Sequence, residues 1–183
     1  MAVSTVSIPL SLPLFLSMFL TWAFGIISFG MCISSYRGLN GTLKKDGADV
    51  GEVFSTDGVI TAITGCIFAI SWMVLFLMYT SPSLVMKSLK ALSGVYWFFV
   101  IWLFATLIPY TQYIRKDSPT YADGSGTWPE AYKSFDYLVW ISVFGWICWF
   151  FTLVTACLLP VAASKAQSYY TRRAYEEKAV PQA

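Results

Sequence analysis

The chain has 183 residues, of which 57% are hydrophobic and 18% aromatic, whereas only 12% are charged. Ordinary soluble domains carry about twice that share of charged residues, so this composition excludes one and indicates an integral membrane protein. The net charge of +2 is too small to indicate a nucleic-acid partner.

Four stretches contain no Asp, Glu, Lys or Arg: residues 1–36, 58–86, 91–114 and 137–164. Each holds the roughly 20 apolar residues that a helix needs to cross a hydrocarbon core of about 30 Å. We predict spans near 10–34, 59–80, 91–112 and 137–161, within a transmembrane domain of residues 1–165 that precedes a short tail, 166–183. The predicted fold is all-α: a four-helix transmembrane bundle with short loops.

A cleaved secretory signal is the alternative interpretation of the first stretch. No Lys or Arg precedes it, however, and its apolar run is longer than the roughly 7–15 residues typical of a signal. No small-x-small cleavage site follows at the right place. We therefore predict that this stretch is the first span.

The orientation depends on how Lys and Arg are distributed between the loops. Six lie in the two longer loops, and six lie in the connector between spans 2 and 3 and in the tail. The connector, SPSLVMKSLK, is short and wholly basic through Lys87 and Lys90, and the tail cations begin near span 4 at Lys165. This density favours the cytoplasmic side for both termini.

Small side chains recur at helical spacing in three spans. Span 4 has Gly145, Cys148, Thr152 and Thr155, and spans 1 and 2 carry similar series around Gly25 and Gly65. Because lipid is as apolar as leucine, helices in a bilayer associate where small residues allow close backbone approach. The predicted helix-packing seam consists of Gly25, Gly58, Ala62, Gly65, Gly145 and Cys148.

Bulky aromatic side chains dominate spans 3 and 4. Span 3 contains YWFFVIWLF and then Pro109, which we expect to kink or end the helix near its outer face. Span 4 contains WISVFGWICWFF. We predict that four tryptophans face lipid or a partner: Trp97, Trp102, Trp146 and Trp149.

Side chains that usually carry chemistry inside a membrane are missing from this sequence. It has no histidine, and the four predicted spans have no ionisable Asp, Glu, Lys or Arg. No phosphate-binding loop and no nucleophile elbow are present, and the four cysteines lie in or beside apolar spans. We therefore predict a protein that is not an enzyme and binds no catalytic cofactor or metal, although structural lipid or sterol remains compatible.

Two short patterns are weaker evidence, one for glycosylation and one for sterol contact. Asn40-Gly41-Thr42 is a candidate glycosylation sequon on the predicted outer side, and a plain Asn-Gly turn is the favoured alternative. Lys90, Tyr96 and Val100 match the spacing of an inverted sterol-contact pattern. Such spacings arise often by chance in membrane spans, so it supports no prediction.

The layout of four spans, cytoplasmic ends, two short outer loops and a very short inner connector resembles MARVEL-type tetraspan proteins. At residue level, YWFFVIWLFATLI and WISVFGWICWFFTLVTAC are similar to the third and fourth spans of fungal members. The chain lacks the Trp-Gly-Leu-Trp motif of claudins and the Cys-Cys-Gly motif of tetraspanins. The resemblance implies a role in membrane organisation and identifies no functional residue.

Two hypotheses for function remain. The first is a non-enzymatic organiser or scaffold, which contacts membrane lipid and self-associates as a homo-oligomer through its small-residue seams. The alternative is an accessory subunit at the periphery of a larger membrane complex. The plasma membrane or endomembranes are favoured over the mitochondrial inner membrane, since no Arg-rich amphipathic segment precedes span 1.

Overall fold

The structure, a computed structural model, describes residues 10–42, 51–122 and 129–179, with side chains described over 10–34, 58–112 and 139–168. Its helices are α1 (Ser11–Thr42), α2 (Gly51–Thr80), α3 (Pro82–Ala122) and α4 (Pro129–Ala179). Each contains a segment long and apolar enough to cross a membrane: Ser11–Ser34, Gly58–Thr80, Pro82–Gln112 and Val139–Ser168. The predicted all-α fold with four membrane-spanning helices is confirmed.

The four helices pack in chain order around a ring. α1 contacts α2 and α4, α3 contacts α4, and the contact between α2 and α3 is the smallest of the four. Two clusters of buried side chains fill the interior at opposite ends of the bundle. One surrounds Met18, Val74 and Leu159, and the other surrounds Ile60, Leu107 and Ile141.

α2 and α3 are joined by a single residue, Ser81. Its N–H donates to the Leu77 carbonyl at 2.8 Å, and its own carbonyl accepts the Leu84 N–H at 3.0 Å. Pro82 takes the first position of α3, where a missing N–H breaks no helical hydrogen bond. The rest of the expected connector, residues 82–90, is helical, because Val85 and other apolar side chains there are buried in the bundle.

All four helices extend beyond the predicted spans, and α3 and α4 do so by the most. α3 does not end at Pro109, since Leu107 and Tyr110 on either side of it are buried and hold the helix in the bundle. α4 continues to Ala179, so residues 166–179 of the predicted tail prolong the last helix. Both helices are longer than the roughly 30 Å hydrocarbon core requires.

Candidate functional site

Hydroxyl groups line the contact between α1 and α4. The Thr21 and Thr155 hydroxyl oxygens lie 3.3 Å apart, and both residues are fully buried. Because the Thr21 hydroxyl already donates to the Ser17 carbonyl at 2.9 Å, Thr155 is the donor between the two helices. Cys148 and Thr152 are fully buried on the same side of α4. The contact between Thr21 and Thr155 therefore joins the first helix to the last, whereas the Thr152 hydroxyl donates to the Cys148 carbonyl of its own helix.

Three of the predicted seam glycines lie where two helices of the bundle approach closely. A Cβ added at Gly145 would lie 2.7 Å from Leu107 Cδ2 of α3, a separation that real Cβ atoms do not adopt. A Cβ at Gly65 would lie 3.1 Å from Phe29 Cε2 of α1. Gly25 is buried against the backbone of Phe68. These glycines bring α4 to α3 and α1 to α2.

The other predicted seam residues of α2 point away from the bundle. Gly58 has no atom within 4 Å of an added Cβ, and Ala62 is exposed. Cys66 and Ala69, which were not part of the predicted seam, are exposed on the same side of α2. We call these four residues the outer stripe. They lie on one face of α2 between Gly58 and Ala69. These residues resemble Gly65 in their small size and helical spacing, but they lie on a different side of the helix. Spacing alone therefore did not reveal which small residues face outward.

Trp146 and Trp149 are half-buried between α4 and α3, which differs from the expectation that they face lipid or a partner. The Trp146 indole N–H donates to the Thr111 hydroxyl oxygen at 2.9 Å, and the Trp149 N–H donates to the Val100 carbonyl at 3.0 Å. Both rings also contact Phe104. An indole N–H in an apolar environment needs an acceptor, and α3 supplies one for each ring.

We expect Trp149→Phe to lower the free energy of unfolding by about 1 kcal/mol, because it keeps the aromatic ring contact but removes one hydrogen bond between helices. The measurement is detergent-titration unfolding of the purified protein. Trp140→Phe is the matched control, since Trp140 is half exposed and packs beside Phe144. Equal stability of the two variants would contradict the assigned role of the Val100 contact.

Trp97 and Trp102 on α3 are exposed, with 39% and 48% of their surface accessible, as a position facing lipid or a partner requires. Trp102 lies in a groove of about 490 Å³, here called the α3 groove, which is lined by Val59 of α2 and by six α3 residues between Phe98 and Pro109. The groove lies between parts of α2 and α3 that are far from their connection at Ser81. No sequence pattern indicated this groove.

The weaker sequence patterns occupy different positions. Asn40 and Gly41 belong to the last turn of α1, so the plain Asn-Gly turn favoured from the sequence is wrong. The Asn40 side chain falls outside the described residues, and Asn40 stays a candidate glycosylation site. Tyr96 and Val100 of the sterol-contact spacing are both buried. The Tyr96 hydroxyl lies 2.7 Å from the Ser71 hydroxyl of α2. That spacing therefore presents no continuous face to lipid.

A few of the described polar side chains hold neighbouring helices together. Most of the described hydroxyls bond to a carbonyl of their own helix, and three interhelical contacts join hydroxyls in pairs: Thr21 with Thr155, Ser71 with Tyr96, and Thr111 with Ser142. Sequence reasoning missed these pairs. Within the described ranges, no group of three or more His, Cys, Asp or Glu side chains is placed to hold a metal ion.

The candidate sites are therefore two surfaces on the outside of the bundle, the outer stripe of α2 and the α3 groove. Comparison of the chain with protein-family models, with curated proteins and with solved structures gives no match.

Proposed function

We propose that this protein is a non-enzymatic, membrane-organising tetraspan that self-associates. It lies in the plasma membrane or an endomembrane, with both termini on the cytoplasmic side. The absence of histidine from the sequence and of ionisable residues from the predicted spans supports a role without chemistry. The resemblance of the layout to MARVEL-type proteins implies the same class of function.

The outer stripe is the observation that carries the proposal. Gly58, Ala62, Cys66 and Ala69 are exposed on one face of α2, while the opposite face, with Ile60, Ile67 and Val74, is buried in the bundle. A small-residue face in lipid allows another helix to approach closely, and close packing is what drives helix association in a bilayer. This face is therefore suited to a second copy of the chain.

The pairing of buried hydroxyls within the bundle supports a function that is carried by the outer surface. The hydroxyls of Thr21, Thr155, Ser71 and Tyr96 pair within the bundle, so they fix the packing of the four helices. The surface that faces lipid carries exposed small residues on α2 and exposed aromatic residues on α3. Association through that surface uses both features.

We expect Ala62→Leu to lower the association constant between copies by about tenfold or more, because a bulky side chain would overpack a close helix contact by about 1–3 kcal/mol. The measurement is Förster resonance energy transfer between labelled full-length copies in liposomes, over a range of protein-to-lipid ratios. Ala91→Leu is the matched control, since Ala91 is exposed on α3, away from the stripe. Equal transfer for both variants would contradict association through α2.

An accessory subunit of a larger membrane complex is the second candidate, and the exposed aromatic face of α3 favours it. Trp97 and Trp102 expose a large area that a different protein would cover as well as lipid does. Native mass spectrometry after gentle detergent extraction separates the two proposals. Particles built only of this 20.5 kDa chain and lipid support the organiser, whereas a fixed stoichiometry with other chains supports the accessory subunit.

A further inference from the structure

The described side chains carry charge at one end of the bundle only. They include no Asp or Glu, and their cations are Lys87, Lys90 and Lys165, all of which are exposed. Because no carboxylate among the described residues neutralises these ammonium groups, they attract an anion from outside the bundle.

Contacts between α3 and α4 place Lys87 and Lys165 at a similar depth. The two helices run antiparallel, and Leu107 of α3 meets Gly145 of α4. Lys87 lies twenty residues before Leu107, and Lys165 lies twenty residues after Gly145. Both lysines are therefore about 30 Å from that contact, at 1.5 Å per residue.

The same depth is where α1 begins. Thr21 of α1 meets Thr155 of α4, and Ser11, the first residue of α1, lies ten residues before Thr21, just as Lys165 lies ten residues after Thr155. From this level toward the opposite end, Lys90 is the last charged residue among the described side chains. The hydrocarbon core therefore lies on that side, and lipid headgroups lie at the lysines.

Lys87 and Lys90 share one outward face of α3. Residues three apart are neighbours on a helix surface, and two like charges there repel each other unless an anion lies between them. Farther into the membrane, the same face continues with Ala91 and Gly94, which are both exposed, and a Cβ added at Gly94 would have no atom within 4 Å. Phe98 follows, with 53% of its surface exposed. The face therefore combines two cations with an open apolar path beside them.

The depth of Lys90 favours a ligand that is both charged and partly apolar. Lys90 lies three residues further along the helix than Lys87, which is about 4.5 Å deeper. An ammonium group facing lipid needs water or an anion, because hydrocarbon does not solvate it. A phospholipid supplies a phosphate at this level and acyl chains for the apolar path, whereas a soluble phosphate supplies only the first. Because a choline headgroup carries its own cation, a lipid of net negative charge fits better.

We propose that this outward face of α3 binds one anionic phospholipid, whose phosphate lies between the ammonium groups of Lys87 and Lys90 and whose acyl chain packs along Gly94 and Phe98. Lys165 has the same depth but belongs to α4, so it is not part of this site. The site does not include the outer stripe of α2, and it does not depend on self-association.

The test is equilibrium binding of radiolabelled dioleoylphosphatidylglycerol to the purified full-length protein in micelles of an uncharged detergent. We expect saturable binding that weakens as salt is raised. Replacing both lysines, Lys87→Gln with Lys90→Gln, should weaken binding by about tenfold or more, because each lysine near a headgroup contributes to the affinity. Lys87→Arg with Lys90→Arg keeps both charges and should retain binding.

Three controls separate this site from other sources of affinity. Lys165→Gln should bind as wild type does, and a loss equal to that of the double variant would overturn the proposal in favour of diffuse attraction by charge. Dioleoylphosphatidylcholine, with the same acyl chains, should not displace the label, and equal affinity for the two lipids would also overturn it. Displacement by glycerol 3-phosphate would assign the lysines to a soluble phosphate. Ala62→Leu should bind the lipid as wild type does, so failure of self-association leaves this test independent.

Discussion

Replacing Gly145 with leucine is expected to lower the free energy of unfolding by about 3 kcal/mol, one of the two largest effects predicted for a single residue of this chain. The Cβ alone would come within 2.7 Å of Leu107 Cδ2, and both residues are buried where α3 meets α4. The remaining leucine atoms would force the two helices apart. Detergent-titration unfolding, followed by tryptophan fluorescence, measures the loss.

The control for Gly145→Leu is the same change at Gly94. Gly94 is exposed on α3 with no atom within 4 Å of an added Cβ, so leucine there should leave stability unchanged or slightly raise it through its better helix propensity. Adding Leu107→Ala to Gly145→Leu should make the combined loss smaller than the sum of the two single losses. Additive losses would mean that Leu107 is not what excludes a side chain at Gly145.

Replacing Tyr96 with alanine is expected to cost about 3–5 kcal/mol, the usual range for truncating a buried aromatic side chain. Tyr96 exposes only 1% of its surface and is among the largest fully buried side chains. The change would empty the space between α2 and α3 and remove the partner that lies 2.7 Å from the Ser71 hydroxyl. Thermal unfolding in micelles, monitored by circular dichroism, measures the effect.

Two further variants show how much of the Tyr96→Ala loss comes from burial of the side chain and how much from its hydroxyl. Tyr79→Ala makes the same change where the side chain is 91% exposed, and it should leave the melting temperature nearly unchanged. Tyr96→Phe keeps the ring and removes only the hydroxyl, so it should cost about 1 kcal/mol. A loss in Tyr96→Phe as large as that in Tyr96→Ala would assign the stability to the hydrogen bond and not to packing.

The number and approximate limits of the spans could be predicted from the sequence because membrane crossing depends on each segment separately. A charge-free stretch of sufficient length must satisfy its own backbone as a helix, whatever its neighbours are. The start of α3 was the exception. Lys87 and Lys90 suggested a loop, yet both are exposed on the helix, where their long stems can carry the ammonium groups toward the interface.

Which face of each helix points inward could not be predicted in the same way. The spans are apolar on all sides, so the polar–apolar contrast that orients a helix in a soluble protein is weak here. Gly65 and Ala62 have the same small size and similar spacing, but Gly65 meets Phe29 and Ala62 is exposed. Partners such as Ser71 and Tyr96 become recognisable only when the packing is known.

The contact between Thr21 and Thr155 joins residues separated by 134 positions, which constrains how the protein is made. During synthesis α1 is translated before α4. The Thr21 hydroxyl therefore has no Thr155 partner until α4 has been translated. α2 and α3, which share a one-residue turn, can pair much earlier. The ring can therefore close only after α4 has been translated, and until then the Thr21 hydroxyl is bonded only to the Ser17 carbonyl of its own helix.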